Sequence, residues 1–334
     1  MISFRVTSPP QAIPAHSICS AVLINTSVRI VVTGILVAAV LAAYGEDTGT
    51  SAKLDRPLRV LTANIWNYAA PYEIRMKLLR HQIEELKPDV IGFQEAGWKP
   101  GEDHQVKQLL KGMNYHLDHE ANGSNANKLR RLDVAVASRW PMKRKGLRQL
   151  PGSGKALAVE VAAPSPVGRF CFVSTFGTAR WQFDRELNRE RDAVALDKFI
   201  REISDTAGFP PIIAGDFDAT PDSASIRFLT GRQSLERRST HYYDAWEAAG
   251  NREDGYTWTT KNDYARKTTE RVWRLSNHHR RIDYIFIGSP HYYRGYARVV
   301  AAKVVLNKPE GKNWPSDHFG VLAEIAVHPA LGLE

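Results

Sequence analysis

Cysteine is almost absent from this chain. Only Cys19 and Cys171 occur among its 334 residues, so neither a disulfide framework nor a cysteine-based metal site can be built. A long apolar run is missing too. The run Ile30 to Ala43 (IVVTGILVAAVLAA) is shorter than the roughly 18–20 residues that span a bilayer. There is no internal repeat and no low-complexity block, which sets aside repeat arrays and compositional linkers as the main architecture.

What is present is ordinary for a globular protein: 43% hydrophobic and 24% charged residues, enough for a sizeable core. The length suits one large domain or two average ones. A net charge of +9 favours polyanions or anionic surfaces as partners, although part of such an excess serves solubility alone. At the N-terminus, Arg29 precedes the short apolar run, Ala43-Tyr44-Gly45 forms a small-x-small step, and Glu46 and Asp47 follow. That pattern is the h-region and cleavage site of an export signal. Residues 1–45 are therefore expected to be a signal peptide or an uncleaved membrane anchor. The protein is expected to be secreted, periplasmic, or transiently associated with a membrane through this segment. Cleavage would remove Cys19 and leave one cysteine, compatible with an oxidising compartment. Residues 46–56 are small and polar, a tether, and 329–334 form a C-terminal tail.

Between them, strand and helix patterns alternate. Alternating or wholly apolar runs predict strands at Leu58–Ala63, Val90–Phe93, Val134–Ser138, Ala156–Val161, Phe170–Thr175, Ile212–Ala214, Ile282–Ile287 and Gly320–Val327. Helical spacing predicts helices over 72–87, stopped by Pro88, over Val106–Leu110, and over 187–203. This is an α/β or α+β pattern. The region 230–281 is long, rich in arginine and aromatic, the kind of loop that lies over an active site. It reads equally as a nucleic-acid contact or as a solvated loop knitted by pairs with Glu236, Glu247, Glu253, Asp254 and Glu270.

Polar groups punctuate the strand ends. Asn64 follows one strand, Glu95 another, and Asp216 and Asp218 a third; Asp283 lies within Arg280-Arg281-Ile282-Asp283-Tyr284 at a fourth, and Ser316-Asp317-His318 precedes the last. Singly, each is as readily a turn residue, a cap, a surface ion pair or an ordinary half-buried histidine. Together they are not. If the strands are neighbours, their ends converge on one cleft that suits a hard divalent cation and an Asp–His pair.

Read in order, Thr62-Ala63-Asn64-Ile65-Trp66, Pro88-Asp89-Val90-Ile91-Gly92-Phe93-Gln94-Glu95, Gly215-Asp216-Phe217-Asp218, Arg281-Ile282-Asp283-Tyr284-Ile285 and Ser316-Asp317-His318 resemble the motifs of the endonuclease/exonuclease/phosphatase (DNase I-like) superfamily. Val136-Ala137-Ser138-Arg139-Trp140-Pro141 adds a sixth match. The resemblance covers residues 57–328. It implies a four-layer α/β (α+β) sandwich, two packed mixed β-sheets flanked by helices. It also implies Mg²⁺- or Mn²⁺-dependent hydrolysis of a phosphate ester, most often a phosphodiester, by a monomer, with nucleic acid among the candidate substrates.

Carried over by position, Glu95 is a metal ligand assisted by Asn64, which also faces substrate. Asp216 is the general base. His318 contacts the phosphate and is oriented by Asp283. Asp317 holds the metal or positions that histidine. Two positions depart from the family pattern. Asp218 stands where an asparagine is expected, so an acceptor-only group adds charge beside Asp216 and calls for a second cation or a retained proton. Phe176 stands where a phosphate-contacting histidine is expected, and Arg180 is the nearby cation that can bind phosphate instead. The alternative to an enzyme is a weakened relative that binds a polyanion or phospholipid headgroup without turnover.

Overall fold

The computed structural model describes residues 53–120, 130–179, 185–206, 208–275, 277–289 and 296–328. The expected export segment 1–45, most of the tether, the tail 329–334 and Arg180 lie outside them. In chain order the strands are β1 (Leu58–Asn64), β2 (Val90–Trp98), β3 (His116–His119), β4 (Arg130–Ser138), β5 (Met142–Gln149), β6 (Lys155–Ala162) and β7 (Arg169–Phe176). There follow β8 (Phe209–Asp216), β9 (Tyr242–Asp244), β10 (Trp258–Thr259), β11 (His279–Arg280), β12 (Asp283–Gly288), β13 (Tyr296–Val305) and β14 (Gly320–His328). The helices are α1 (Tyr72–Leu86), α2 (Gln105–Leu109), α3 (Arg185–Ile203), α4 (Ala224–Leu229), α5 (Ala245–Ala248) and α6 (Asp263–Thr268), with a π-helical turn over Thr269–Trp273.

Two six-stranded mixed sheets result, in the orders β13-β14-β1-β2-β4-β3 and β5-β6-β7-β8-β12-β9, with β10 and β11 forming a separate ribbon. The inner faces of the sheets meet in one core. Leu58, Val60, Val90, Val136, Val321 and Ile325 from the first pack with Leu157, Val159, Phe172, Ile212 and Ile285 from the second. Each such side chain contributes roughly 1.5–3 kcal/mol when fully buried. Leu79 and Ile83 of α1 and Val106 and Leu109 of α2 cover the outer face of the first sheet. Val194, Leu196, Phe199 and Ile200 of α3 and Ile226 and Phe228 of α4 cover the second. The four-layer sandwich expected from the sequence is thus the observed architecture.

Strand direction places the polar strand ends together. β1 and β2 run parallel, with Asn64 opposite Gln94, and β7 and β8 run parallel, with Phe176 opposite Asp216. β12 and β14 run antiparallel to their partners, so their first residues lie at that same end, and Asp283 pairs directly with Asp216. Close strand approach requires Gly215, where a Cβ would lie 2.4 Å from the Thr175 carbonyl oxygen. The tether is anchored at its end. Leu54 N–H donates to the Ser165 carbonyl at 2.8 Å, and Arg56 makes a two-pronged contact with Asp89, 2.7 Å on each side.

Candidate active site

The site begins with a bulge. Between Phe93 and Ala96 the β2–β4 register shifts, and Glu95 takes a left-handed backbone with φ 47°. A bulge of this kind re-aims a side chain. Both Glu95 oxygens are held by amides: Asn64 Nδ2 donates to Oε1 at 3.2 Å, and Asn67 Nδ2 to Oε2 at 3.1 Å. Asn64 Nδ2 also donates to Asp216 Oδ2 at 2.9 Å, while its oxygen accepts from Trp66 N–H at 3.0 Å and keeps a second lone pair. One carboxamide therefore ties two carboxylates from different sheets.

The second sheet supplies Asp216, Asp218 and Asp283, and the loop leading into β14 of the first sheet supplies Asp317 and His318. Asp216 Oδ1 accepts from Asp218 N–H at 2.9 Å. Asp283 Oδ2 accepts from His318 Nδ1 at 3.1 Å, and His318 Nε2 lies 3.9 Å from Asp216 Oδ2. Burial pulls the His318 imidazolium down, but Asp283 and Asp216 outweigh it and the net shift is well upward. Burial pushes the Asp216 carboxyl up to about 8, against the pull of His318. It pushes Glu95 up to about 7 and raises Asp317. Three buried acids that resist ionisation when alone are a site that gains from a cation. The Trp258 ring stands edge-on to His318, 4.9 Å between centroids.

Glu95, Asp216, Asp218, Asp317 and His318 line one cleft, together with Trp66, Phe176, Trp258, Trp273, Arg271 and Arg280. Asp283 stands behind His318 and Asn64 behind the two acids. Phe176, at the position expected to hold a histidine, is apolar wall.

The acidic motif is met by partners within the protein. Asp218 is matched by an arginine, while burial raises the carboxyl of Asp216 beside it. Arg280 Nη1 donates to its Oδ1 at 2.6 Å and Nη2 to its carbonyl at 2.7 Å. The arginines beside Asp283 do not pair with it: Arg280 takes Asp218, and Arg281 takes Asp244. Much of the basic region is spent internally in the same way. Arg232 pairs with Glu247, Arg238 with Asp197, and Arg266 with Asp263 and Glu270. What that region delivers to the cleft is Trp258, Thr268, Arg271, Trp273 and Arg280.

Several supporting residues escape a reading of the sequence. Thr257 Oγ1 accepts from the Ile282 and Asp283 N–H groups at 3.1 and 3.2 Å. Asn262 Nδ2 donates to the Ser316 and Asp317 carbonyls at 2.8 and 3.2 Å. Asn67 holds Glu95, and Arg75 binds the surrounding loops. Asn67, three residues after Asn64 and just past a strand, is the one with a local signal. Thr257 and Asn262 act through contacts distant in sequence, and Arg75 joins its neighbouring loop to the distant Pro315.

Residues 61–318 match the Endonuclease/Exonuclease/phosphatase family. Solved structures of similar fold include the human Nocturnin catalytic domain with bound sulfate anion, 20% identical, with 82% of this chain and 94% of that one covered and a TM-score of 0.58. TDP2 of D. rerio complexed with single strand DNA product is 17% identical, with 81% and 100% covered and a TM-score of 0.61. An endonuclease/exonuclease/phosphatase from Bacteroides vulgatus is 17% identical, with 81% and 99% covered and a TM-score of 0.59. At these identities the likeness is one of fold. No curated protein sequence matches the chain.

Proposed function

Because the chain belongs to the Endonuclease/Exonuclease/phosphatase family, we propose that it is a metal-dependent phosphodiesterase. The observation that carries this is the convergence of Glu95, Asp216, Asp317 and the His318–Asp283 pair on one cleft. The donor chemistry fits a hard cation such as Mg²⁺ or Mn²⁺, which prefers carboxylate and amide oxygens. Asp216, Asp283 and His318 lie close enough together to bind an ion. An imidazole held charged between two carboxylates is a poor ligand, however, since its lone pairs are taken by protons. Glu95, Asn64 and Asp317 are the better set. A bound cation would offset charge on the phosphoryl oxygens.

The chain's own residues do the rest. Asp216, its basicity raised by burial, accepts the proton of the attacking water. His318, kept protonated by Asp283, donates a charged hydrogen bond to the phosphate. Asn64 and Asn67 fix the carboxylates.

The purified protein with Mg²⁺ or Mn²⁺ is expected to release nitrophenolate from bis-p-nitrophenyl phosphate, and EDTA to stop it. Plasmid DNA, RNA and sphingomyelin tested alongside would sort nucleic acid from phospholipid. No metal-dependent release from any of them sinks the reading. Because Glu95 and Asp317 are raised by burial, Mn²⁺ is expected to displace protons on binding, so its affinity rises with pH. Calorimetry in buffers of different ionisation enthalpy reads this directly. Binding with no proton release, or binding undiminished in Glu95→Ala, would remove Glu95 from the metal set. A second reading, binding without turnover, draws on Phe176, which gives the cleft wall no polar group at that position; silent chemistry with retained phosphate binding would favour it.

Export, with transient membrane association, is proposed from Ile30–Ala43 and its flanks. The N-terminal sequence of protein recovered from the producing cell tests it. A mature chain starting near Glu46, or an intact chain in the membrane fraction, is expected; an intact soluble cytoplasmic chain refutes it.

A further inference from the structure

An anionic substrate entering this cleft meets four carboxyl groups, those of Glu95, Asp216, Asp218 and Asp317. Cations must offset them. His318 gives one N–H to Asp283 and has only the other, near Asp216, for a phosphate oxygen, and Arg271 is exposed at the rim. Arg280 differs from both.

Arg280 is 3% exposed and lies against the cleft beside Asp218, with its guanidinium 5.9 Å from the centre of the Trp273 ring. Asp218 holds two of its N–H groups, one through the carboxylate and one through the carbonyl. The left-handed backbone of Asp218, φ 44°, suits an Asp or Asn. The Nε–H of Arg280 is buried and has no acceptor among the described residues. Folded proteins leave few such donors unpaired, and a planar guanidinium with spare N–H groups matches the oxygens of a phosphate.

We propose that Arg280, held in place by Asp218, is a substrate-binding residue that donates from its guanidinium to the non-bridging oxygens of the phosphate. Asp218 is then a positioning residue that acts through Arg280. The pair is neutral overall, so the acid at 218 adds no net charge to the site, and the cleft gains a fixed donor fork. This rests on the phosphodiesterase reading.

The test uses the full chain with saturating Mn²⁺, bis-p-nitrophenyl phosphate as substrate and inorganic phosphate as competing ligand, with phosphate binding also followed by calorimetry. Arg280→Gln is expected to weaken phosphate binding and raise KM by about ten- to a hundredfold, the range of a charged hydrogen bond. Asp218→Ala is expected to do the same in part, and the double variant to be no worse than Arg280→Gln, because the two act as one unit. If Arg280→Gln does not fold, as circular dichroism would show, Arg280→Lys keeps the charge, lacks the fork, and should still lose affinity. Phosphate affinity and KM within twofold of wild type in a folded Arg280 variant would overturn the proposal, as would additive effects of the two substitutions or no phosphate binding by the wild type. A wild type that releases no nitrophenolate counts against the phosphodiesterase reading instead, while phosphate calorimetry still decides the role of Arg280.

Discussion

Asp216→Asn is expected to lower turnover by about a thousandfold, within the 10²–10⁴ range of a positioned general base. The amide keeps the shape of the side chain and can still accept from Asp218 N–H, so the fold should persist. What it loses is the ability to take a proton. Burial lifts the Asp216 carboxyl up to about 8, and the base works only when ionised. Activity of the wild type should therefore rise with pH through the neutral range, since deprotonation creates the active form. A bound cation favours the ionised acid and moves that rise to lower pH. The residual activity of Asp216→Asn should lack this limb. A pH–rate profile of both proteins checks it. A variant that keeps more than a tenth of wild-type kcat would rule Asp216 out as the base.

Arg75→Ala is expected to cost about 3–5 kcal/mol of stability, the loss typical when a buried charged partner is removed. Arg75 is wholly buried, and its guanidinium donates five hydrogen bonds. Nε reaches the Ala69 carbonyl at 3.0 Å; Nη1 reaches those of Ile65 and Pro315 at 3.0 and 3.2 Å; Nη2 reaches those of Trp66 and Asn67 at 3.1 and 2.8 Å. Four of these carbonyls belong to the loop that follows Asn64, and the fifth precedes Ser316-Asp317-His318. One side chain thus braces both loops. Alanine would leave the carbonyls without their donor, each at a cost of about 1–3 kcal/mol if water does not reach it. Lysine should not rescue, because one ammonium cannot reproduce a planar fork of five donors. Urea unfolding measures the loss, and metal-dependent turnover should fall with it. A loss below about 1 kcal/mol, the net worth of a single ordinary hydrogen bond, would show that the loops hold without Arg75.

The strands legible in the sequence are the interior ones. β1, β2, β4 and β14 in the first sheet, and β6, β7, β8 and β12 in the second, all follow from the apolar pattern, because a strand buried on both faces must be apolar along its length. The strands that pattern misses in the two sheets, β3, β5, β9 and β13, are the four sheet edges. Edge strands carry charge and are half solvated. β5 reads MKRKGLRQ, with half-buried and exposed positions alternating over its first six residues and the rest exposed, and to a hydrophobicity pattern that is a loop. The π-helical turn and the β10–β11 ribbon are set by packing of Trp258 against Ala265, Ile282 and Trp273, which no local period announces.

The candidate site divides in the same way. By itself the sequence determined the residue types at the strand ends, Asn64, Glu95, Asp216, Asp283 and Asp317-His318, because each sits next to an apolar run whose direction fixes where it must emerge. It did not determine their partners. Whether Asp283 faces an arginine or a histidine, and whether Asp218 is an uncompensated charge or half of an ion pair, depends on which strand lies beside which. Arg280 reaches Asp218 across 62 positions of sequence, and Arg75 reaches Pro315 across 240. Such contacts exist only once two sheets have packed and buried both ends, and burial is what makes each pairing obligatory.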